Sequence, residues 1–166
     1  HNPISSTLHP VDINPSMKLK YKILDNRLGT IFELPRYQTK GSAGLDLIAC
    51  IDESLDLKAN ESTIISSGIS IHIGDPNFAG IIIPRSGLGA KKGLVCGNLL
   101  GLIDSDYQGP LSISLWNRSN ANVIIEPGDR VAQLVIINVK QVELEEVLEF
   151  DETERGQRGF GSTGVS

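Results

Sequence analysis

Apolar residues after Met17 fall into short runs separated by glycine, proline, asparagine and aspartate. In residues 18–24 the apolar positions alternate, so Leu19, Tyr21 and Ile23 would lie on one face of a strand. The other strand-like runs are 45–51, 62–65, 69–73, 80–83, 99–103, 111–116, 123–125, 130–139 and 142–148. This pattern predicts about ten short β-strands.

The separators between these runs have the residue types of tight turns. Residues 74–77 are Gly-Asp-Pro-Asn and residues 126–129 are Glu-Pro-Gly-Asp, in which proline presets φ and glycine accepts a positive φ. No long amphipathic pattern occurs, and only residues 87–92 could form a short helix. We therefore expect an all-β fold, a distorted jelly roll or β-barrel-like sandwich with at most one short helix.

The composition is that of one folded, soluble domain. The chain has 166 residues, of which 40% are hydrophobic and 21% charged. No apolar run reaches the roughly 18 residues of a membrane span, and a net charge of −5 argues against a general nucleic-acid binder. Cys50 and Cys96 lie far apart in the sequence, which favours two reduced core thiols in a cytoplasmic protein.

The two ends of the chain differ from its middle. Residues 1–16 contain three prolines and two histidines without periodicity, and we interpret them as a non-native remnant or a flexible native arm. Residues 17–150 would form the β domain. Residues 151–166 are polar and glycine-rich with Phe160 as their one aromatic residue, which is typical of a mobile tail.

Several common catalytic patterns are missing. The sequence has no Walker-type phosphate loop and no dinucleotide-binding glycine motif, and Pro84 replaces the first glycine of a serine-nucleophile elbow before Ser86. His72 is the sole histidine of residues 17–150, so zinc binding and Ser/His catalysis are not supported. Cations stand beside glycines at Arg85, Lys91, Lys92, Arg130, Arg155 and Arg158, which suggests either phosphate binding in loops or solvated turns.

Five segments carry the strongest functional signal. They are Ala-Gly-Leu-Asp-Leu-Ile-Ala at 43–49, Pro-Arg-Ser-Gly-Leu-Gly at 84–89, Gly-Leu-Ile-Asp-Ser-Asp-Tyr-Gln-Gly at 101–109, Arg-Val-Ala-Gln-Leu at 130–134 and Arg-Gly-Gln-Arg-Gly-Phe-Gly-Ser-Thr-Gly at 155–164. In this order they resemble the five motifs of the trimeric, bacterial-type dUTP pyrophosphatases. One residue departs from the family pattern, because Arg158 stands where the family usually has glycine.

The resemblance implies the fold, the reaction and the assembly. Members have a β-clip fold and use Mg²⁺ to hydrolyse dUTP to dUMP and pyrophosphate. This reaction keeps uracil out of DNA and supplies dUMP for thymidylate synthesis. Their active sites lie between the subunits of a homotrimer, and the tail closes over each site as a lid. No nucleic acid and no membrane is implied as a partner.

Residue roles also follow from the resemblance. Asp104 would be the base that activates water. For Asp106 the residue type, not the resemblance, favours a turn-stabilising role. The phosphates would be bound by Arg85, Ser86, Gly87 and Gln133. Asp46 and Arg130 would be structural or outer-shell residues. Mg²⁺ would be held mainly by substrate phosphates and water, with Asp46 contributing through a water molecule.

Base and sugar would be recognised by a hairpin between Val95 and Ile113. Uracil would contact the side chain of Asn98 and main-chain groups around Leu102, Ile103 and Ser112. Tyr107 would lie under the deoxyribose and block a 2′-hydroxyl, although ordinary hairpin packing explains it equally well. In the tail, Phe160 would stack on uracil, and Arg155, Gly161, Ser162 and Thr163 would contact the rest of the nucleotide.

Two alternatives remain open at this point. A dCTP deaminase would share the fold family but lacks the glycine-rich tail motif. A non-catalytic nucleotide-binding β-trimer would be expected to lose Asp104 or the tail, and both are present. Pyrophosphate release measured with dUTP and with dCTP separates all three interpretations.

Overall fold

The computed structural model describes residues 17–98 and 100–159, and these are almost entirely β-structure. The elements are β1 Lys20–Ile23, β2 Leu45–Ile48, β3 Leu55–Leu57, β4 Ser62–His72, β5 Phe78–Pro84, α1 Ser86–Lys92, β6 Leu94–Cys96, β7 Gly101–Ile103, β8 Pro110–Asn117, β9 Val123–Ile125 and β10 Arg130–Asn138. The predicted all-β class with one short helix is confirmed for this part of the chain.

Two four-stranded antiparallel sheets form the body of the domain. Their strand orders are β1-β4-β8-β6 and β2-β10-β5-β7, and β3 pairs with β9 in a separate two-stranded sheet. Side chains from both large sheets enter one apolar core, among them Leu47, Ile71, Ile113 and Leu134. The architecture is therefore a jelly-roll-like sandwich, in which each sheet buries one face against the other.

A glycine bulge joins two runs that the sequence pattern separates. Residues 62–65 and 69–73 were expected as two strands, but they belong to the single strand β4, whose register against β8 shifts between Ser66 and Ser70. Gly68 has φ +77°, and a Cβ there would approach the Cys50 sulfur to 2.9 Å. The bulge therefore requires glycine, since another residue would be strained and would clash.

Other strand predictions need correction. Residues 142–148 were expected as a strand but form none, because no neighbouring strand pairs with them within the described chain. Instead the apolar residues Val142, Leu144 and Leu148 are exposed. The short strands β3 and β6 were missed as separate elements.

The predicted hairpin between Val95 and Ile113 is only partly correct. Strands β6 and β8 do pair antiparallel, with Val95 opposite Trp116. The intervening β7, however, leaves this sheet and pairs with β5 in the other one. The connection therefore crosses from one layer of the sandwich to the other and back.

A polar cluster holds the loop before β2. Arg27 donates through Nε and Nη2 to the Asp25 carboxylate at 3.0 and 2.7 Å, and its Nη1 donates to the Ile51 carbonyl at 3.3 Å. The hydrogen bonds from Arg27 hold the pKa of Asp25 well below its usual range. Burial, followed by the hydrogen bond to Asp25, raises the pKa of the adjacent Cys50 thiol to about 11. Among the described residues, no helix is long and apolar enough to span a membrane.

Candidate functional site

Asp46 lies between two arginines, Arg85 at the N-cap of α1 and Arg130 at the start of β10. Its Oδ1 is 3.2 Å from Nε of Arg85, and its Oδ2 is 3.5 Å from Nη1 of Arg130. The Asp46 side chain is only 11% exposed, and Arg85 also donates through Nη1 to the Arg130 carbonyl at 3.2 Å. Three of the predicted motifs are thus joined, because β10 lies between β2 and β5 in the sheet.

Gln133 is fixed beside this ionic group. It stands opposite Asp46 on β2 and opposite Ile83 on β5, and its Nε2 donates to the Pro84 carbonyl at 3.1 Å. A Cβ added to Gly44 would come within 3.0 Å of the Gln133 Cβ, so the first motif needs glycine at this position. The amide group is thereby held next to the end of β5.

A cavity lies at the junction of β5 and α1. Arg85 has an extended backbone with φ −80° and ψ 131°, and Ser86 begins the helix without a side-chain cap. A Cβ at Gly87 would meet no atom within 4 Å, so the approach to its backbone is open. The arginine cavity has a volume of about 440 Å³ and is lined by Gln38, Ser42, Ala43, Gly44, Asp46, Arg85, Ser86, Gly87, Leu88, Lys92 and Gln133.

The third motif lies at a second cavity. Asp104 follows β7, is exposed, and accepts a hydrogen bond at its carbonyl from the Tyr107 amide at 3.2 Å. The Ser105 carbonyl accepts from the Gly74 amide at 2.8 Å. The aspartate cavity has a volume of about 640 Å³ and is lined by His72, Gly74, Pro76, Phe78, Ala79, Leu102, Asp104, Ser105, Asp106, Val139 and Gln141. Asp106 lines the same cavity, and its expected role in the turn stays a prediction.

Strand β5 separates the two cavities. Ile103, which precedes Asp104, pairs with Gly80 near the start of β5, whereas Arg85 follows Pro84 at its end. A β-strand rises about 3.3 Å per residue, so Gly80 and Pro84 are separated by roughly 13 Å. The described chain therefore does not bring Asp104 and Ser86 into one cavity.

The residues predicted to recognise base and sugar lie around the β6–β8 connection. The Gly97 amide donates to the Ser114 carbonyl at 2.9 Å, and Asn98 is exposed in the turn that follows. Leu102 is 63% exposed, Ile103 is half-buried, and Ser112 stands on β8 opposite Ser66. Asn98 and Ser112 thus lie at opposite ends of the connection that contains Leu102 and Ile103.

Tyr107 closes its own turn. Its hydroxyl donates to the Pro110 carbonyl at 2.8 Å, and a Cβ on Gly109 would lie 3.0 Å from the ring atom Cε2. The side chain is nevertheless 43% exposed. This geometry agrees with hairpin packing and leaves part of the ring accessible to a ligand.

The described part of the tail is exposed and contains Arg155 and Arg158 in one turn. Each Nε atom donates to the main-chain carbonyl of the other residue at 3.0 Å. Gly156 has φ +55°, and its amide donates to the Thr153 hydroxyl at 3.0 Å. The predicted site residues Phe160, Gly161, Ser162 and Thr163 lie outside the described residues, as do residues 1–16.

The described residues offer a cation few protein ligands. No three His, Cys, Asp or Glu side chains within 17–98 and 100–159 gather as a metal-binding group. Asp46 lines the arginine cavity, but each carboxylate oxygen already lies close to an arginine. This donor set fits a cation held by ligand phosphates and water, with Asp46 as an outer contact.

Sequence reasoning missed Gln38 and Ser42 of the arginine cavity, and it noted Lys92 only as a cation beside glycine, without assigning it to the site. Gln38 and Ser42 come from the loop before the first motif, and Lys92 ends α1. The sequence spacing does indicate that Lys92 lies on the same side of α1 as Arg85 and Leu88. Lys92 follows Arg85 by seven residues and Leu88 by four, which is the spacing of one helix face. The loop residues have no comparable periodicity.

The fold and this cavity together define a β-sandwich with a cavity lined by Arg85 and Lys92 at the end of β5. The chain belongs to the dUTPase family, whose model matches residues 30–164. The deoxyuridine 5′-triphosphate nucleotidohydrolase of Idiomarina loihiensis is 56% identical over 149 residues, which are 90% of this chain and 99% of that protein. The enzyme of the same description from Haemophilus influenzae is 58% identical over 147 residues, covering 89% of this chain and 97% of its own.

Solved dUTPase structures share the fold. A mutant dUTPase of Staphylococcus bacteriophage 80alpha with dUpNHpp superposes with a TM-score of 0.77 at 29% identity, covering 90% of this chain and 100% of the phage chain. A mutant dUTPase of Staphylococcus aureus phage phi11, with a structural Mg(II) ion, gives a TM-score of 0.71 at 25% identity, covering 82% and 100%.

Proposed function

We propose that the protein hydrolyses dUTP to dUMP and pyrophosphate, with the phosphates bound in the arginine cavity and Asp104 supplied by a second copy of the chain. The observation that carries this proposal is the junction of β2, β5 and β10. There Asp46, Arg85 and Gln133, from three of the family motifs, meet beside Ser86.

Phosphate binding follows from the groups at that junction. Arg85 is held by Asp46 and by the Arg130 carbonyl, so its guanidinium is oriented before substrate arrives. The Ser86 hydroxyl, the open Gly87 backbone and the Gln133 amide add neutral donors. Fixed donors of this kind stabilise charge that develops on a phosphate during hydrolysis.

Asp104 would act as the general base. It would accept a proton from a water molecule aimed in line at the α-phosphorus, and the bond from that phosphorus to the pyrophosphate oxygen would break. Most of its effect would come from its position relative to that water molecule.

A homotrimer would bring Asp104 of one chain to the arginine cavity of another chain. Since β5 holds Asp104 and Arg85 apart within one chain, a complete site needs Asp104 from a neighbouring copy. The exposed apolar side chains Val142, Leu144 and Leu148 also support contact with another chain. Closed rotational symmetry would repeat the same shared site at every interface.

The β6–β8 connection would recognise base and sugar. Asn98 and main-chain groups near Leu102, Ile103 and Ser112 would bind uracil, whose N3–H donor and O4 acceptor are reversed in cytosine. A mismatched base would leave buried groups unpaired, at a cost of about 1–3 kcal/mol each. The accessible part of the Tyr107 ring would lie against the deoxyribose.

Mg²⁺ and the tail would complete the substrate complex. Mg²⁺ would be bound by the phosphates and water near Asp46, where it would neutralise phosphate charge. Residues 151–166 would close over the nucleotide as a lid, with Arg155 on the phosphates and Phe160 stacked on uracil. Gly161, Ser162 and Thr163 would supply further contacts.

Pyrophosphate release measured with dUTP, UTP and dCTP tests this function. We expect rapid release from dUTP and little from the other two. Ammonia release from dCTP without pyrophosphate would instead indicate a deaminase, and binding of dUTP without any product would indicate a non-catalytic protein.

A further inference from the structure

We infer that Lys92 is a positioning residue for the outer phosphates of the substrate. It ends α1 and lines the arginine cavity, although it was not among the residues predicted to bind the nucleotide. This inference rests on the proposed function and extends it to a residue beyond the five motifs' assigned contacts.

The helix geometry directs Lys92 toward the cavity. Arg85, Leu88 and Lys92 have the spacing of one helical face, and all three line the arginine cavity. They also line a neighbouring cavity of about 260 Å³ between α1 and the strands β9 and β10. Side chains on a helix tilt toward its N-terminus, so Lys92 can direct its ammonium back along α1 toward Ser86.

The length of α1 decides which phosphate Lys92 can reach. Ser86 and Lys92 are six positions apart in the sequence, which corresponds to a rise of about 9 Å along the helix axis. A phosphate bound at Ser86 is therefore one helix length from the Lys92 backbone. The lysine side chain spans part of this distance. It would therefore contact the outer phosphates of a chain that extends from Ser86 along the helix, and it would not contact the nucleoside.

The charges of the cavity favour the same assignment. Asp46 is the only acid among its lining residues, and it already lies close to both Arg85 and Arg130. Lys92 is exposed and makes no ion pair within 4 Å among the described residues. Asp129 lines the neighbouring cavity with Lys92 but forms no ion pair with it within 4 Å, so the ammonium adds positive charge that suits a triphosphate that stays anionic after binding one Mg²⁺.

The test compares Lys92→Gln with Lys92→Arg and with Lys40→Gln. Lys40 is a nearby exposed lysine that does not line the arginine cavity, so its variant measures the general loss of positive charge. We expect Lys92→Gln to raise the KM for dUTP and the inhibition constant of pyrophosphate by about 5- to 20-fold. The inhibition constant of dUMP should not change, and Lys92→Arg should restore most of the affinity.

Two results would overturn the inference. One is an equal effect of Lys40→Gln, which would mean that only the overall field matters. The other is unchanged pyrophosphate inhibition in Lys92→Gln. If the unmodified protein released no pyrophosphate from dUTP, the proposed function itself would fail, and binding of dUpNHpp to the same variants would still test Lys92.

Discussion

Arg155 and Arg158 donate to each other's main-chain carbonyl oxygens through their Nε atoms, both at 3.0 Å. The pair closes a turn in the tail at the position where the family pattern usually has glycine. Arg158 therefore has a local structural contact, and Arg155 is held in the same turn.

Replacement of Arg158 by glycine tests this relationship. The turn would lose one of its two reciprocal hydrogen bonds and gain backbone freedom, at a cost of about 0.5–1.5 kcal/mol to local order. We expect faster hydrogen exchange at residues 154–158 and a kcat/KM for dUTP within about 3-fold of the parent. A loss of activity as large as that of Arg155→Ala would mean that Arg158 contacts substrate directly.

Asp104→Asn should retain binding and lose turnover. The amide has the shape of the carboxylate but cannot accept a proton from water, so we expect single-turnover rates to fall by about 100- to 10,000-fold. Titration with dUpNHpp should give an affinity close to that of the parent. Near-normal turnover would exclude Asp104 as the base, and Asp106→Asn provides the matched control.

Mixing two inactive variants should restore activity if the sites lie between subunits. Arg85→Ala removes a phosphate-binding group, and Asp104→Asn removes the proposed base. In one chain these two residues line separate cavities, which β5 keeps apart. In random trimers made from equal amounts, each mixed trimer regains one intact site, so about a quarter of the parent activity should return. Unfolding and refolding the two together, against each alone, gives the measurement, and no gain on mixing would place the whole site in one chain.

Tyr107→Ala should relax the rejection of UTP more than the rejection of dCTP. Sugar and base are contacted by different parts of the β6–β8 connection in the proposed complex. Tyr107→Phe keeps the ring but loses the hydrogen bond to the Pro110 carbonyl, and therefore separates ring contact from turn closure. The readout is kcat/KM for dUTP, UTP and dCTP, and an equal loss of both discriminations would assign Tyr107 to packing alone.

Cys50 should make the protein less stable in alkaline solution. An unfolded thiol ionises near pH 9.0, whereas the folded Cys50 stays protonated up to a pKa of about 11. The unfolded state therefore binds fewer protons in this interval, and stability falls as pH rises from about 9 to 11. Denaturant midpoints should decrease less steeply with pH for Cys50→Ala than for the parent, and identical slopes would contradict the expectation.

The sequence predicted the fold class and most strands because their apolar runs are distinct. The interval 123–125 matches β9, and residues 130–139 extend only one residue beyond β10. The strand predictions failed where pairing with a neighbouring strand, and not local periodicity, determines the structure. Residues 142–148 have a strand-like composition but no partner in the described chain, and Gly68 keeps β4 continuous by a bulge that periodicity does not reveal.

The candidate site was predictable from short motifs but its arrangement was not. Asp46, Arg85 and Gln133 meet because of the strand order β2-β10-β5, which no local pattern encodes. Lys92 was recognised only as a cation beside glycine, since its place on the cavity wall depends on where α1 is directed. Asp104 was identified through the resemblance of its motif, whereas its separation from the arginines follows from the pairing of β7 with β5.

Because β5 keeps the arginine cavity and Asp104 apart, one defective chain would affect more than one active site of an assembly. In the proposed trimer, each copy gives its arginine cavity to one site and its Asp104 to another. A single chain defective in both would thus silence about two thirds of the catalytic capacity of its trimer. Such a variant would act dominantly when co-expressed with the parent, and dilution below the assembly threshold would inactivate even an undamaged chain.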